Sequence, residues 1–171
     1  MNIADIERRR RLMDTLGLLS GVQSIDELVM TLRGSARAIA AADGITIVRR
    51  EADKVAYVAE DAADPLWTGQ RFPIEACISG IAMIENRPVL IPDIYADARV
   101  PHAAYAMTFV RSMAMFPIGV GEPMMSMGAY WRTAGDIDPQ AVSLLSSLAR
   151  QASITFERIA AAGALGARSS A

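Results

Sequence analysis

The stretch SMAMFPIGVGEPMMSMGAYW, residues 112–131, decides the fold. Ser112 to Ile118 is a small and apolar run that reads as a strand. Gly119 to Pro123 concentrates glycine and proline and reads as a tight turn. Met124 to Arg132 returns as a second strand, and Gly128 within it marks a bend or a close approach.

The reading extends in both directions from this hairpin. Downstream, Pro139 suits the first turn of a helix, where its missing N–H costs nothing. Ala141, Leu144 or Leu145, Leu148, Ala152 and Ile159 then repeat with helical period, which predicts a terminal helix over 137–162. Residues 163–171 are small and polar and read as a flexible tail. Upstream, Ile45 and Ile47, then Val55, Tyr57 and Ala59, alternate with polar neighbours. They predict two strands joined by a turn at Glu51 to Lys54. Residues 60–73 read as a loop holding Pro65 and Trp67. Residues 76–85 read as a short helix with Cys77, Ile81 and Ile84 on one face. Pro88 to Ile91 is a short strand, residues 94–100 a loop, and Pro101 opens a short helix to about Thr108.

Two helices precede the first strand. Leu12, Leu16 and Leu19 form a stripe on the first, which belongs to an N-terminal segment over 1–22. Ser24 and Glu27 have the spacing of a capping box for the second. Leu28, Leu32, Ser35 and Ile39 line its buried face. The element order predicts an α+β domain with a central, largely antiparallel sheet of five to six strands. Terminal helices lie on one face of that sheet and short helices and loops on the other. One domain over 1–171 accommodates all of it, with neither a repeat nor an internal boundary.

Composition narrows the function. With 17 basic and 19 acidic residues the net charge is −2, so no global field draws nucleic acid or an anionic membrane. The basic run Arg8 to Arg11 lacks interleaved aromatics and reads as a solvated helix face. One cysteine leaves no internal disulfide. There is no signal-peptide pattern and no apolar run long enough to span a bilayer, so a cytoplasmic location is expected. The ten methionines read as adaptable core filler.

Residues 57–131 carry a family resemblance. It rests on Tyr57-Val-Ala-Glu-Asp, Pro65-Leu-Trp-Thr-Gly-Gln-Arg-Phe-Pro, Cys77-Ile-Ser-Gly and Ile91-Pro-Asp-Ile-Tyr-Ala-Asp-Ala-Arg-Val-Pro-His. Thr108-Phe-Val-Arg-Ser-Met-Ala-Met-Phe-Pro-Ile, Gly128-Ala-Tyr-Trp and the closing Leu148-Ala-Arg-Gln-Ala-Ser-Ile-Thr-Phe-Glu complete it. The chain resembles GAF domains, and in particular the GAF sensors found in front of bacterial histidine kinases of the HWE type. That resemblance implies a cup-shaped fold with a ligand pocket between the sheet and the short helices. It implies a sensory and regulatory role in two-component signalling, homodimerisation through the terminal helices, and a histidine kinase or another output domain as partner. No kinase motif occurs in the 171 residues, so this chain is not expected to transfer phosphate or to be a self-contained enzyme. An excised sensor and a stand-alone protein fit the sequence equally.

By the motif matches, the pocket candidates are Cys77, Asp93, Asp97, His102, Tyr105, Arg111, Ser112 and Tyr130, with Tyr95 beside them. Arg111 is the strongest candidate for holding an unknown small molecule or, bidentately, Asp93 or Asp97. His102, the only histidine, is expected at a helix start, bonded to Asp93 or Asp97. One cysteine and one histidine do not make a closed zinc site, and no metal is expected. Haem on His102 and a bilin on Cys77 are weighed, but no cofactor is predicted. The cysteine–histidine pair that usually attaches bilins is missing. Methionine sulfoxide reductases of this fold need a resolving cysteine. Cys77, His102 and Asp93 also spell a nucleophile set, against the simpler reading of Cys77 as a buried thiol. The cyclic-nucleotide signature is absent. An interior filled by Met113, Met115, Phe116 and Tyr130 would mark a ligand-free dimerisation scaffold; a cavity lined by Arg111, His102 and Asp93 would mark a binding module.

Overall fold

The computed structural model describes residues 1–169. Helices α1 (Ile3–Gly21) and α2 (Ile25–Ala40) precede strands β1 (Gly44–Glu51), β2 (Lys54–Ala62) and β3 (Arg71–Pro73). A 3-10 turn at Ile74–Ala76 leads into α3 (Ile78–Glu85) and β4 (Val89–Ile91). A second 3-10 turn, Ile94–Ala96, leads to α4 (His102–Tyr105), then β5 (Ser112–Ile118), β6 (Met125–Trp131) and α5 (Pro139–Ser169). The six strands form one antiparallel sheet in the order β3-β2-β1-β6-β5-β4. The predicted α+β architecture and the 112–131 hairpin are present.

Each face of the sheet has its own core. Ile45, Ile47, Ala114, Phe116, Met125 and Met127 pack against Leu19, Leu28, Leu32, Leu145 and Leu148 of α1, α2 and α5. Val48, Val55, Tyr57, Met113, Met115 and Tyr130 point the other way, beneath α3, α4 and the loop around Trp67. Phe116 therefore belongs under the terminal helices and not in the pocket-side interior. Strand alternation separates it from Met113 and Met115.

Several local expectations change. Ser24 does cap α2 through the Glu27 amide, but Glu27 reaches back to the Gln23 amide at 3.0 Å rather than to Ser24. A complete capping box sits instead at Asn2 and Asp5 of α1. In α3 the buried residues are Ile78, Ser79, Gly80, Ala82 and Met83, while Ile84 is exposed. Cys77 is the residue before the helix, so the predicted Cys77–Ile81–Ile84 face is displaced. β3 and both 3-10 turns went unread; three residues carry no detectable period. The segment 163–169, expected as a frayed tail, continues α5. Ala164, Leu165, Ala167 and Arg168 are good helix formers and outweigh Gly163 and Gly166. Residues 170 and 171 of that expected tail lie outside the described residues.

The terminal helices are fastened at both ends. Arg8, expected in solvent, is largely buried: Nε donates to the Ile39 carbonyl at 2.8 Å, and another guanidinium nitrogen pairs with Asp138 at 3.0 Å. It thereby occupies orphan carbonyls at the C-terminus of α2, where a cation is favoured. At the other end, Thr155 and Arg158 of α5 donate to the carbonyl of Leu19 in α1, and Arg158 also to that of Val22. α1 and α5 therefore run side by side in the same direction.

Candidate functional site

The second face of the sheet is unusual in its polar groups. Tyr57 and Ala59 alternate correctly for one face, yet they project to opposite faces. The cause is a bulge: Ile47 pairs with Ala59 but Val48 pairs with Tyr57, leaving Val58 as the extra residue. A bulge re-aims side chains, and here it turns Tyr57 inward. On β6, Gly128 makes room for the tyrosine two residues on. A Cβ at Gly128 would stand 2.5 Å from the Tyr130 hydroxyl and 2.8 Å from Met115 Cε. Gly80 acts similarly on the cover, since a Cβ there would meet the Ile74 carbonyl oxygen at 1.7 Å. α3 consequently sits tight on the 3-10 turn and brings Cys77 and Ser79 over the sheet.

The buried groups form a chain. Cys77 Sγ lies 3.2 Å from Ser79 Oγ, which lies 3.1 Å from the Tyr57 hydroxyl. The Tyr57 hydroxyl also interacts with that of Tyr130, and Tyr130 meets Thr46 Oγ1 at 2.8 Å. The Tyr105 hydroxyl donates to Met113 Sδ at 3.8 Å. Burial pushes the ionisation of Tyr57, Tyr105 and Tyr130 well above the ordinary phenol range. Burial likewise pushes the Cys77 thiol up. These groups are neutral near pH 7, and among the described residues no charged side chain is fully buried.

Trp67 closes the site. Its ring stands edge-on to Tyr57, Tyr105 and Tyr130 at centroid distances of 5.5, 4.7 and 5.4 Å. The indole N–H donates to the Ala104 carbonyl at 3.1 Å. What remains open is a cleft of about 10 Å³ beside Cys77, Phe72 and Pro101. That volume accepts about one water.

The predicted site residues divide into three groups. Cys77, Tyr105 and Tyr130 are in this interior. Asp93, Asp97, His102 and Arg111 are on its rim and do not converge. Asp93 caps the Tyr95 amide at 3.0 Å, and Asp97 pairs with Arg99 at 2.7 Å. The Arg99 hydrogen bond, against some desolvation, holds the Asp97 carboxyl below its ordinary pKa. His102 bonds through Nε2 to the backbone carbonyls of Ile94 and Asp97 at 2.8 and 3.1 Å, not to a carboxylate. Arg111 makes none of the salt bridges found among the described residues; its guanidinium lies over the exposed Tyr95 ring, 5.2 Å from the centroid. Ser112 lies on the other face of β5 from Met113 and donates to the Thr133 carbonyl, between β6 and α5, at 2.7 Å. Cys77, His102 and Asp93 each bond elsewhere and make no nucleophile set.

The motifs that carry the family resemblance include Tyr57, Glu60, Trp67 and Ser79, but sequence reasoning assigned none of them, nor Thr46, to the site. Glu60 accepts from the amides of Leu66, Trp67 and Thr68 at 2.7, 2.9 and 2.7 Å and from Thr68 Oγ1 at 2.6 Å. Desolvation raises its pKa, but the Thr68 hydroxyl and the three amides outweigh that and leave it below the ordinary value. The run Glu60 to Thr68 contains one signal, a carboxylate followed by a proline turn, but no spacing rule that would have identified the clamp.

Residues 22–157 match the GAF domain family, and the chain belongs to it. Solved structures of similar fold include a free methionine-R-sulfoxide reductase from Neisseria meningitidis in complex with its substrate, at 15% identity and TM-score 0.77 over 95% of each chain. The GAF domain of an Acinetobacter phosphoenolpyruvate-protein phosphotransferase has 15% identity and TM-score 0.73, covering 97% of this chain and 99% of that one. The chromophore-binding domain of a bacteriophytochrome from R. palustris has 14% identity and TM-score 0.76, covering 95% of this chain and 64% of that one. No curated protein matches the chain. At these identities the likeness establishes the fold, which hosts sensory, regulatory and enzymatic proteins alike. Among the described residues no cluster of three or more histidine, cysteine or acidic side chains is placed to hold a metal ion. No helix among them is long and apolar enough to cross a membrane.

Proposed function

We propose that this chain is a sensory or regulatory GAF module whose output leaves through α1 and α5, paired with those of a second copy. The observation that carries the reading is that α1 is apolar on two sides. Leu12 and Leu19 face the core, while Ile3, Ile6 and Met13 are 85%, 54% and 66% exposed on the outside. Ile6 and Met13 are one heptad apart, the repeat of a helix–helix seam. An open groove of about 630 Å³ between α1 and the start of α5, bordered by Leu12, Met13 and Leu144, gives a partner's side chains a seat. The ties from Arg158 and Thr155 to the end of α1 couple the two helices, so a shift in one is felt by the other. The resemblance of residues 57–131 to sensors of HWE-type histidine kinases favours a kinase as the output partner.

Light scattering tests the pairing. The native chain is expected as a dimer, and Ile6→Glu with Met13→Glu as a folded monomer by circular dichroism. A native monomer at high concentration would sink the proposal. The alternative reading, a ligand-free scaffold, draws on a different observation: the interior is occupied by Trp67, Met113, Met115 and Tyr130, leaving room for about one water.

A further inference from the structure

The side chain filling the interior is not a strand or helix residue. Trp67 comes from the loop between β2 and β3, enters between α4 and the sheet, and is 4% exposed. It is treated there as a ligand is treated: three tyrosine rings surround its edges and faces, and one backbone carbonyl accepts its N–H. The loop that delivers it has little apolar anchorage beyond Trp67 and the part-buried Leu66. Its backbone is held by Glu60, which accepts from three amides and also from the Thr68 hydroxyl, and by main-chain bonds from Gly69 to the Tyr57 carbonyl and from Gln70 to the Trp67 carbonyl. Of these, the bonds to an ionised acceptor are the strong ones. Among the described residues Glu60 is the one side chain that ties the loop's amides, and it does so near the surface, at the residues flanking and including Trp67. Behind the indole lie the neutral hydroxyls of Tyr57 and Tyr130.

We infer that Trp67 is a tethered occupant of the pocket, latched by Glu60, and that the pocket's external ligand is a neutral planar aromatic heterocycle of about indole size bearing an N–H donor. This inference rests on reading the chain as a sensory GAF module. A ligand of that class takes the tyrosine cage and the Ala104 carbonyl, and the loop carrying Trp67 leaves. The chemistry of the cage disfavours an anionic ligand, because among the described residues no cation is fully buried and Arg111 lies over the exposed Tyr95 ring. Binding and loop release are one equilibrium, so weakening the latch strengthens apparent affinity.

The test uses unlabelled indole as probe and the indole N–H resonances of the ¹⁵N-labelled protein. There are two tryptophans, and Trp131, whose N–H donates to the Ala41 carbonyl at 3.0 Å, is the internal control. On titration the Trp67 signal is expected to move to the position of a solvated indole while Trp131 stays. Glu60→Gln is expected to bind at least about tenfold more tightly than the native chain, the effect of weakening charge-assisted hydrogen bonds. Trp67→Gly is expected to bind indole without any latch dependence. Equal affinity in the native and Glu60→Gln chains, or no binding by either at about 1 mM indole, overturns the inference. If Trp67→Gly does not fold, the native and Glu60→Gln comparison alone decides. None of these readouts depends on oligomeric state, so they fail independently of the proposed dimer.

Discussion

Beneath α1, α2 and α5 the sheet presents Ile45, Ile47, Phe116, Ile118 and Met127, and the helices answer with leucine and alanine. On the opposite face it presents Tyr57 and Tyr130 with two methionines, and the cover answers with Trp67, Tyr105, Cys77 and Ser79. Both faces are buried. They differ in what it takes to change them. An aliphatic interior has no alternative arrangement of similar energy, and any void costs stability. The tyrosine face consists of neutral polar groups that bond to one another. Its hydroxyls accept new partners without a charge being buried or released. One face fixes the domain, and the other is able to exchange partners.

Substitutions on the two faces sharpen that contrast. The largest effect is expected from Phe116→Ala, fully inside the aliphatic face: a loss of about 3–5 kcal/mol in denaturant unfolding. A loss below about 1 kcal/mol would break the comparison, since the helix face would then be as accommodating as the other. Tyr57→Phe keeps the ring and removes the central hydroxyl of the chain. It is expected to cost about 0.5–1.5 kcal/mol, the net worth of a buried hydrogen bond, because Ser79 keeps Cys77 and Tyr130 keeps Thr46 as partners. A loss above about 3 kcal/mol would break the comparison, since the tyrosine face would then be as unforgiving as the other.

Acid acts on the latch. Glu60 has a folded-state pKa below the ordinary carboxylate value. Its contribution is full above the unfolded-state pKa and is lost as pH falls through the folded-state pKa. Between about pH 7 and about pH 3 the native melting temperature should fall more than that of Glu60→Gln, followed by near-ultraviolet circular dichroism from the tryptophans. Parallel curves would place the loop's stability elsewhere. The smallest effect is expected from Arg111→Ala, which removes only an exposed contact to the Tyr95 ring and should cost under about 1 kcal/mol. Indole affinity should not change, because Arg111 is outside the cage.

The long helices were legible from their periodic runs, the 112–131 hairpin from an apolar run and its glycine–proline turn, and the largely antiparallel character of the sheet from the element order. The site was legible only where periodicity sufficed. Ser112 and Met113 are adjacent, and strand alternation sends them to opposite faces; choosing Ser112 for its chemistry chose the wrong face. Tyr57 was lost for a deeper reason. Its alternation with Ala59 is correct, and one unpaired residue, Val58, reverses the result. Asp93, Asp97, His102 and Arg111 are close in sequence and suggested convergence. Each instead satisfies a local turn, a neighbouring arginine, a backbone carbonyl or an adjacent ring. Glu60 and Trp67 are paired by the course of a loop, which no residue pattern encodes.

The end of α5 has a mechanical consequence. From residue 160 to residue 169 the helix is exposed along its whole circumference, after the last partly buried side chain at Ile159. Ten residues at 1.5 Å rise make a rigid arm of roughly 15 Å. A tilt of about 10° at its root swings the tip sideways by roughly 2–3 Å, by the same helix geometry. The arm therefore works as a gearing: displacements too small to disturb the aliphatic core at its base arrive at its far end as movements the size of an atom.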